Sequence, residues 1–324
     1  WYTIEVWLAQ LPEPVVQARP ALLVAQAWIA FYHHALWDIP ALIERTEMLL
    51  CGHPDDALQG EISFFHGLSL FWRGDSTRSL AELGHALARI PEAKNQVRGE
   101  AELFYFVSGQ MSGQSGMAIK ALNELLYGEH EVTGARKLRL MGALIFIHVL
   151  TGNLTEALRA TVLTRKVATK MNSAYVRAWA DYLEGLIHLF RFELAEAADC
   201  FERAVEQRYV LHVRAAIDSL IGQIVTCHHL GRTDRAQAAQ TMLLDFAHET
   251  NQLPYILLAE SCQARISLLQ GDKLQSRHWL QRADPTLDGG TMFYWLEVPR
   301  ITACRTLAAQ DSDEELKQSL ETLA

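Results

Sequence analysis

The sequence has few residues that interrupt helices and no stretch suited to a lipid bilayer. Its 324 residues include only 9 prolines and 19 glycines, while 50% are hydrophobic. No apolar run of about 18 residues occurs, and no signal-peptide pattern is found, so neither a membrane span nor secretion is predicted. Leu and Ala recur instead at helical spacing, which predicts a chain dominated by helices.

Cysteine and positive charge are also scarce. The five cysteines lie far apart, and no two have C-x-x-C spacing. Because an odd number of scattered thiols fits a disulfide framework poorly, we predict a reducing, cytoplasmic environment. The formal net charge is −9, whereas binding of phosphate backbones requires concentrated Lys and Arg, so direct nucleic-acid binding is not expected.

A turn signal recurs along the chain, closing an apolar helix and opening an amphipathic one. It reads Trp37-Asp38, Gly74-Asp75, Gly113-Gln114, Gly152-Asn153, Phe192-Glu193, Gly231-Arg232, Gly271-Asp272 and Gln310-Asp311. Successive signals are thirty-nine or forty positions apart, except for the first two, which are thirty-seven apart. Glycine suits the left-handed residue that ends a helix, and Asp or Asn can cap the next one, so each signal predicts a helix-turn-helix corner.

Small residues flank these corners and predict close helix crossings. Seven positions before the corner lie Ala30, Gly67, Gly185, Ala264 and Ala303, and five positions after it lie Ser79, Ala118, Ala157, Ala197, Ala236 and Ser276. The first helices are predicted near residues 16–35, 55–73, 95–112, 134–151, 174–191, 211–230, 254–270 and 294–309. The second helices are predicted near residues 40–50, 77–89, 116–127, 154–170, 194–207, 234–249, 274–283 and 312–323. Pro299 falls inside a predicted first helix and should kink it or force it to begin there.

This pattern predicts an all-α fold, a right-handed α-solenoid of about eight tetratricopeptide-like helical hairpins. We expect residues 1–324 to form a single superhelical domain whose concave face is lined by the first helices. Because the chain begins with Trp1 rather than Met, we interpret it as a fragment of a longer protein.

Motifs at both ends resemble one family of proteins. Residues 7–13, Trp-Leu-Ala-Gln-Leu-Pro-Glu, followed by Ala18-Arg19-Pro20, resemble the start of the helical-repeat region in the large ATP-binding LuxR-type (MalT-like) transcriptional regulators. Residues 295–302, Trp-Leu-Glu-Val-Pro-Arg-Ile-Thr, resemble the closing repeat of that region. The resemblance covers nearly the whole chain. It implies a sensor and coupling module between an upstream nucleotide-binding domain and a downstream DNA-binding domain.

Neither flanking domain lies within this sequence. It contains no G-x-x-x-x-G-K-[ST] motif, so ATP is expected only in an upstream domain and no cofactor is expected in this segment. The segment also has no basic recognition helix after its last hairpin.

Chemistry carried by the segment itself is not predicted. The cysteines have no local base to activate them, and nothing singles out a pair of catalytic carboxylates. The pairs His33-His34 and His228-His229 are adjacent residues that point about 100° apart on a helix, so neither pair can chelate one ion. We therefore predict no enzyme activity and no metal site.

A binding surface is predicted by analogy with tetratricopeptide geometry, at the positions thirteen, ten and six before each corner. This register selects Arg139, Trp179, Tyr182, Asp218, Arg265, Glu297 and Arg300 as lining of the concave face. Their mixture of charge and aromatic rings suits a polar small molecule or a peptide. A neighbouring polar stripe, eight positions before the corner, leaves a rotation by one position open: His66, Glu184, Gln223 and Gln263.

The predicted function is that of a non-catalytic regulatory module that binds a small-molecule effector or a regulatory protein and passes the result to flanking domains. The alternative is a constitutive scaffold for protein partners, or a self-association domain, without an effector. Exposed apolar patches would favour that alternative.

Overall fold

A computed structural model of the chain describes residues 2–51, 55–129, 132–283 and 295–310, and the single positions 317, 320 and 321. All regular structure within these residues is helical. The helices are α1 (Tyr2–Leu8), α2 (Glu13–Gln17), α3 (Pro20–Tyr32), α4 (Ile39–Leu50), α5 (Asp56–Trp72), α6 (Ser76–Arg89), α7 (Asn95–Met111), α8 (Ser115–Tyr127), α9 (Gly134–Leu150), α10 (Leu154–Lys170), α11 (Ala174–Phe190), α12 (Leu194–Glu206), α13 (Val213–His229), α14 (Thr233–Glu249), α15 (Leu253–Leu269), α16 (Lys273–Arg282) and α17 (Pro299–Ala308). None of these helices combines the length and apolar character that a bilayer crossing requires.

The predicted order of first and second helices is confirmed from α3 to α17. Most ends agree within one or two residues. Helix α3 begins four residues later than predicted, at Pro20, and α17 begins at Pro299, where the sequence analysis allowed a forced start. The short helices α1 and α2 were not predicted, and the second helix expected near residues 312–323 lies almost entirely outside the described residues.

Seven corners share one backbone motif, in which a left-handed residue ends the first helix. Gly74 has a φ of 80°. Its N–H donates to the carbonyl of Phe71, and the N–H of the following residue, Asp75, donates to the carbonyl of Leu70. This is the Schellman arrangement, which satisfies carbonyls at the helix end. Asp75 then caps α6 by accepting a hydrogen bond from the N–H of Arg78 at 3.2 Å.

The first corner differs from its prediction. The left-handed residue is His34 (φ 58°), three positions before Trp37, and the N–H of Ala35 bonds to the carbonyl of Ala30. Counted from His34 to Gly271, every pair of successive left-handed corner residues is separated by thirty-nine or forty positions. The repeat is therefore more regular than the turn signals alone indicated.

Close packing at the hairpin crossings depends on small residues, as predicted. A Cβ atom added at Gly67 would lie 2.7 Å from Cγ of Leu83, and the hydroxyl of the buried Ser79 donates to the carbonyl of Gly67 at 2.8 Å. Overpacking at such a site costs about 1–3 kcal/mol. The sequence-based small-residue rule missed Gly222, where an added Cβ would lie 2.5 Å from the ring of Phe201.

The chain divides into two compact units, Trp1–Ala180 and Asp181–Ala324, with the boundary inside α11. In unit 1, the helices of each hairpin pack together, and the first helices α3, α5, α7 and α9 follow one another side by side. In unit 2, α12 to α14 pack in chain order, and α15 contacts α13, α14, α16 and α17. The expectation of one continuous domain over residues 1–324 stays a prediction.

Aromatic side chains of the first helices form much of the core in unit 1. The buried Trp28 ring stacks on Phe64, with 4.8 Å between ring centroids and an interplanar angle of 10°. The indole N–H of Trp28 donates to Oε2 of Glu61 at 2.6 Å, and Nζ of Lys94 lies 2.6 Å from the other carboxylate oxygen. A buried polar group thus has its partners supplied by neighbouring hairpins.

Candidate functional site

Several repeats carry polar or aromatic side chains at the register thirteen positions before the corner, although α15 carries Leu258 there and Glu297 precedes the start of α17. In unit 1 these residues are Glu61, Glu100, Arg139 and Trp179, and in unit 2 they are Asp218 and Glu297. Because consecutive first helices lie side by side, residues of one register come next to each other. Each unit therefore gathers its own polar cluster, and the two clusters are described separately.

In unit 1, Arg139 of α9 lies among charged and aromatic groups of three other helices. Its Nε is 2.6 Å from Oε1 of Glu100, and its guanidinium carbon is 5.2 Å from the ring centroid of Tyr175. The hydroxyl of Tyr32 donates to the same Glu100 oxygen at 2.8 Å. Burial, the largest single influence, acts to lower the pKa of Arg139, but the Glu100 carboxylate together with Tyr175 and Tyr32 outweighs it, and the pKa is raised. Arg139 is therefore held in its charged form.

Trp179 extends this cluster along α11. Its ring meets Tyr175 edge-on at 6.4 Å between centroids and Phe146 at 6.0 Å. Tyr32, Arg139, Tyr175 and Trp179 are all only partly buried. Together with Glu100 they form what we call the Arg139 cluster, which presents aromatic faces beside a fixed positive charge.

In unit 2, four of the seven residues predicted to bind a ligand meet in one buried network. The Tyr182 hydroxyl donates to Oδ2 of Asp218 at 2.7 Å, and Nη1 of Arg265 lies 3.2 Å from Oε2 of Glu297. The Ser261 hydroxyl donates to the other Glu297 oxygen at 2.6 Å. Asp218 and Glu297 have no solvent exposure. Both carboxylates are thus bound by groups from several helices.

A non-helical stretch of main chain, residues 295–298, packs against these helices, and we call it the docked segment. The N–H of Leu296 donates to Oδ1 of Asp218 at 2.9 Å, and its carbonyl accepts from Nη1 of Arg265. The carbonyl of Glu297 accepts from Nη2 of Arg214 at 2.8 Å. Three charged side chains of α13 and α15 therefore bind the main chain of a segment that is distant from α13 along the sequence.

The side chain of Trp295 anchors the docked segment. The guanidinium of Arg214 lies over its ring at 4.5 Å from the centroid, and the ring of Tyr182 is 6.4 Å away. The ring of His212 meets it edge-on at 6.3 Å. A cation–π contact between a desolvated cation and an indole ring is worth about 2 kcal/mol.

Burial shifts the pKa of the Asp218 carboxyl in this network. Burial raises the pKa of Asp218 from 3.8 to about 6, and the nearby Glu297 carboxylate adds to the increase. Three groups oppose it by favouring the ionised form: the charge of Arg214, the Tyr182 hydroxyl and the Leu296 N–H. Near neutral pH, Asp218 is therefore ionised, but at a cost in folding free energy.

The structure gives each predicted residue a place. Arg139 and Trp179 lie in the Arg139 cluster, while Tyr182, Asp218, Arg265 and Glu297 lie in the unit 2 network. Arg300 is the second residue of α17 and is not joined to that network among the described residues. That these seven residues bind a ligand stays a prediction.

Sequence reasoning missed several members of the two clusters. Glu100 lies at the same register as Arg139, so the rule itself could have selected it. Arg214 precedes Asp218 by one helical turn and shares its face of α13. Ser261 stands at the register ten positions before a corner and is small and polar rather than conspicuous.

The alternative stripe, eight positions before the corner, makes contacts with second helices where its partners are described. His66 of α5 pairs with Glu47 of α4 at 2.9 Å, and Glu184 of α11 lies 3.6 Å from Arg203 of α12. Glu184 belongs to another group as well, in which its carboxylate, the His188 ring and the Cys200 thiol offer metal-binding atoms within 4.8 Å of one another.

Comparison with known proteins gives matches of structure only. No protein-family model matches the chain, and no curated protein does. A Rap protein complexed with Competence and Sporulation Factor superimposes with a TM-score of 0.56 at 14% identity, covering 94% of this chain and 96% of that one.

Two further solved structures are similar. Aspartyl phosphate phosphatase F from Bacillus subtilis has a TM-score of 0.54 at 10% identity, over 94% of this chain and 93% of its own. A tetratricopeptide repeat protein from Parabacteroides merdae has a TM-score of 0.50 at 12% identity, covering 82% of this chain and 91% of its own. The fold class is thus all-α, made of tetratricopeptide-like helical hairpins, as the sequence predicted.

Proposed function

We propose that the chain is a non-catalytic regulatory module that binds an extended peptide or a peptide segment of a regulatory protein. The observation that supports this proposal is the docked segment. Asp218, Arg214 and Arg265 bind its main chain, and main-chain contacts give affinity for an extended peptide whatever its sequence. Charged side chains of the first helices are therefore chemically suited to hold such a ligand.

The Arg139 cluster is the proposed place for an external ligand. Its register matches that of Asp218, its aromatic rings are partly exposed, and Glu100 fixes the guanidinium of Arg139 in position. Tyr, Trp and Arg are the residue types that most often carry binding energy at interfaces. The cluster offers a ligand rigid aromatic surface and a charge suited to a carbonyl or carboxylate.

The structural neighbours support a binding role in general terms. The Rap protein that this chain resembles was crystallised in a complex with Competence and Sporulation Factor. At least one protein of similar structure thus forms a complex with a second molecule. By analogy, the partner of this chain is a signal molecule or a regulatory protein.

We also propose that this module belongs to a LuxR-type (MalT-like) regulator, with an ATP-binding domain before it and a DNA-binding domain after it. The support comes from the end motifs. The docked segment, which holds the unit 2 network together, lies within the motif that resembles the closing repeat of that family. Cytoplasmic localisation and the absence of a cofactor in this segment are parts of the same proposal.

Peptide selection tests the binding role. The purified chain would be used to select from a phage-displayed library of random short peptides, and the enriched peptides synthesised and their affinities measured. Changing Arg139→Met together with Glu100→Gln removes the ion pair without leaving a lone buried charge. We expect this change to weaken binding about tenfold or more, as loss of an interface hot spot does.

The chain offers a matched control for this experiment. Arg159 and Glu156 form an ion pair of the same length, 2.6 Å, on the exposed face of α10. The same exchange, Arg159→Met with Glu156→Gln, should leave peptide affinity unchanged. Failure to enrich any peptide, or equal affinity in the Arg139 and Arg159 variants, would overturn the proposal, provided that far-ultraviolet circular dichroism shows both to be folded.

A further inference from the structure

Two metal-binding side chains lie one helical turn apart on α11, and a third faces them from the paired helix. Glu184 and His188 are separated by four positions, a spacing that puts both on one face of a helix. Cys200 of α12 completes the group, and the three possible ligand atoms all lie within 4.8 Å of one another. Glu184 and Cys200 are buried, and His188 is partly buried. The group is therefore shielded but reachable.

The His188 ring is held by a carboxylate from the corner that follows α11. Its Nδ1 is 2.6 Å from Oε2 of Glu193, whose own N–H bonds to the carbonyl of His188. The left-handed residue Phe192 (φ 61°) turns the chain so that Glu193 returns to this position. A carboxylate on a histidine ring fixes the orientation of the ring, as it does around metal ions.

We propose that Glu184, His188 and Cys200 bind a divalent transition-metal ion, with Zn²⁺ as the best match. Thiolate, imidazole and carboxylate are the ligands that zinc takes in proteins, and three of them leave a fourth position for water or another ligand. Tetrahedral zinc requires its ligand atoms to be about 3.3–3.6 Å apart, so atoms that now lie within 4.8 Å of one another must approach by up to about 1.5 Å. On binding, a sulfur–metal bond forms and the Cys200 thiol proton passes to solvent.

Arg203 supplies the positive charge at this site in the metal-free chain. Its Nη2 is 3.1 Å from the Cys200 sulfur and 3.6 Å from a Glu184 oxygen, while its Nε donates to Asp181 at 3.1 Å. A metal dication and the guanidinium repel each other, so binding requires the guanidinium to withdraw from Cys200 and Glu184. Its side chain is 45% exposed and so has room to do so. Arg203 therefore competes with the metal for the same two partners.

Cobalt titration of the intact chain tests this site independently of any peptide binding. Added Co²⁺ should give a thiolate-to-cobalt charge-transfer absorption that saturates at one equivalent, and Zn²⁺ should abolish it. Cys200→Ser should remove the absorption, whereas Cys227→Ser, which changes another buried thiol of unit 2, should leave it intact. No absorption in excess Co²⁺, or absorption that survives Cys200→Ser, would overturn the proposal.

Two further variants separate the site from an effect on folding. His188→Gln should lower Co²⁺ affinity about 100-fold or more, because loss of an outer partner alone costs about 10–100-fold. Arg203→Met should instead raise the affinity, by about tenfold, since it removes the competing charge. If Cys200→Ser does not fold, the opposite changes in Co²⁺ affinity expected for His188→Gln and Arg203→Met test the metal site instead. Unchanged or weakened binding in Arg203→Met contradicts the competition described above.

Discussion

The buried carboxyl of Asp218 should make the stability of unit 2 depend on pH, and Asp218→Asn should remove that dependence. The asparagine can keep both hydrogen bonds, because its oxygen can accept from the Leu296 N–H and its amide can donate to the Tyr182 oxygen. It lacks only the titrating proton and the attraction to Arg214, whose guanidinium is 3.8 Å away. The substitution is therefore close to a pure removal of charge.

The magnitude follows from the change in pKa on folding. The pKa of Asp218 is about 6 in the folded chain against 3.8 as its ordinary value, and each unit of difference corresponds to about 1.36 kcal/mol. Because the folded state holds the proton more tightly, this group's contribution to stability is fully present below pH 3.8 and is lost as the pH rises through about 6. The full loss is about 3 kcal/mol, of which about 2 kcal/mol falls between about pH 4.5 and 6.5.

Urea unfolding of wild type and Asp218→Asn at several pH values, at fixed ionic strength, measures this difference. The free energy of unfolding of the wild type minus that of the variant should fall by about 2 kcal/mol from about pH 4.5 to 6.5. Asp199→Asn, at an exposed position of α12, controls for the loss of one negative charge. A difference that stays constant within about 0.5 kcal/mol would refute the reasoning, because Arg214 would then be offsetting the burial completely.

Two further predictions concern the hairpins. Gly222→Ala should destabilise the chain by about 1–2 kcal/mol, because overpacking against the Phe201 ring outweighs the gain of about 1 kcal/mol in helix propensity. Gly142→Ala is the matched control, since its added Cβ would meet its nearest neighbour at 3.8 Å. It should stabilise the chain by about 0.5–1 kcal/mol. Thermal unfolding followed by circular dichroism compares the two, and equal effects would contradict the packing argument. Asp75→Ala should cost about 1 kcal/mol through loss of the cap of α6. Gln114→Ala, at the same position before α8 but without a capping hydrogen bond, should change the free energy of unfolding little in the same assay.

The sequence was sufficient to predict most of the fold because each hairpin repeats the same local signals. Gly74 and Gly271 take the left-handed conformation, and Asp75 and Asp272 cap the following helices, all as their residue types suggest. The first corner was misplaced because its left-handed residue is His34, a type that takes this conformation far less readily than glycine. Regular spacing from the later corners could have corrected it.

The register that carries many of the clustered polar residues was also predictable, but the contacts made by its residues were not. Residues 295–298 were predicted as the start of a helix, whereas Val298 is extended (φ −134°, ψ 112°) because the residue before a proline, here Pro299, avoids the helical region. The main-chain groups of Leu296 and Glu297 then need partners from elsewhere. The side chains that supply these partners are distant in sequence, and their identity depends on how the hairpins stack. No local sequence pattern predicts that stacking.

The docked segment also affects how unit 2 is completed during synthesis. In a repeat array most contacts join neighbours, so hairpins can form one after another as the chain emerges. The bond between Arg214 and Glu297 joins residues 83 apart, across the whole intervening α15–α16 hairpin. Until the ribosome has released residues 295–297, Asp218 and Arg214 lack partners that they have in the finished structure. We therefore expect unit 2 to close late, in one cooperative step that requires residues 295–297.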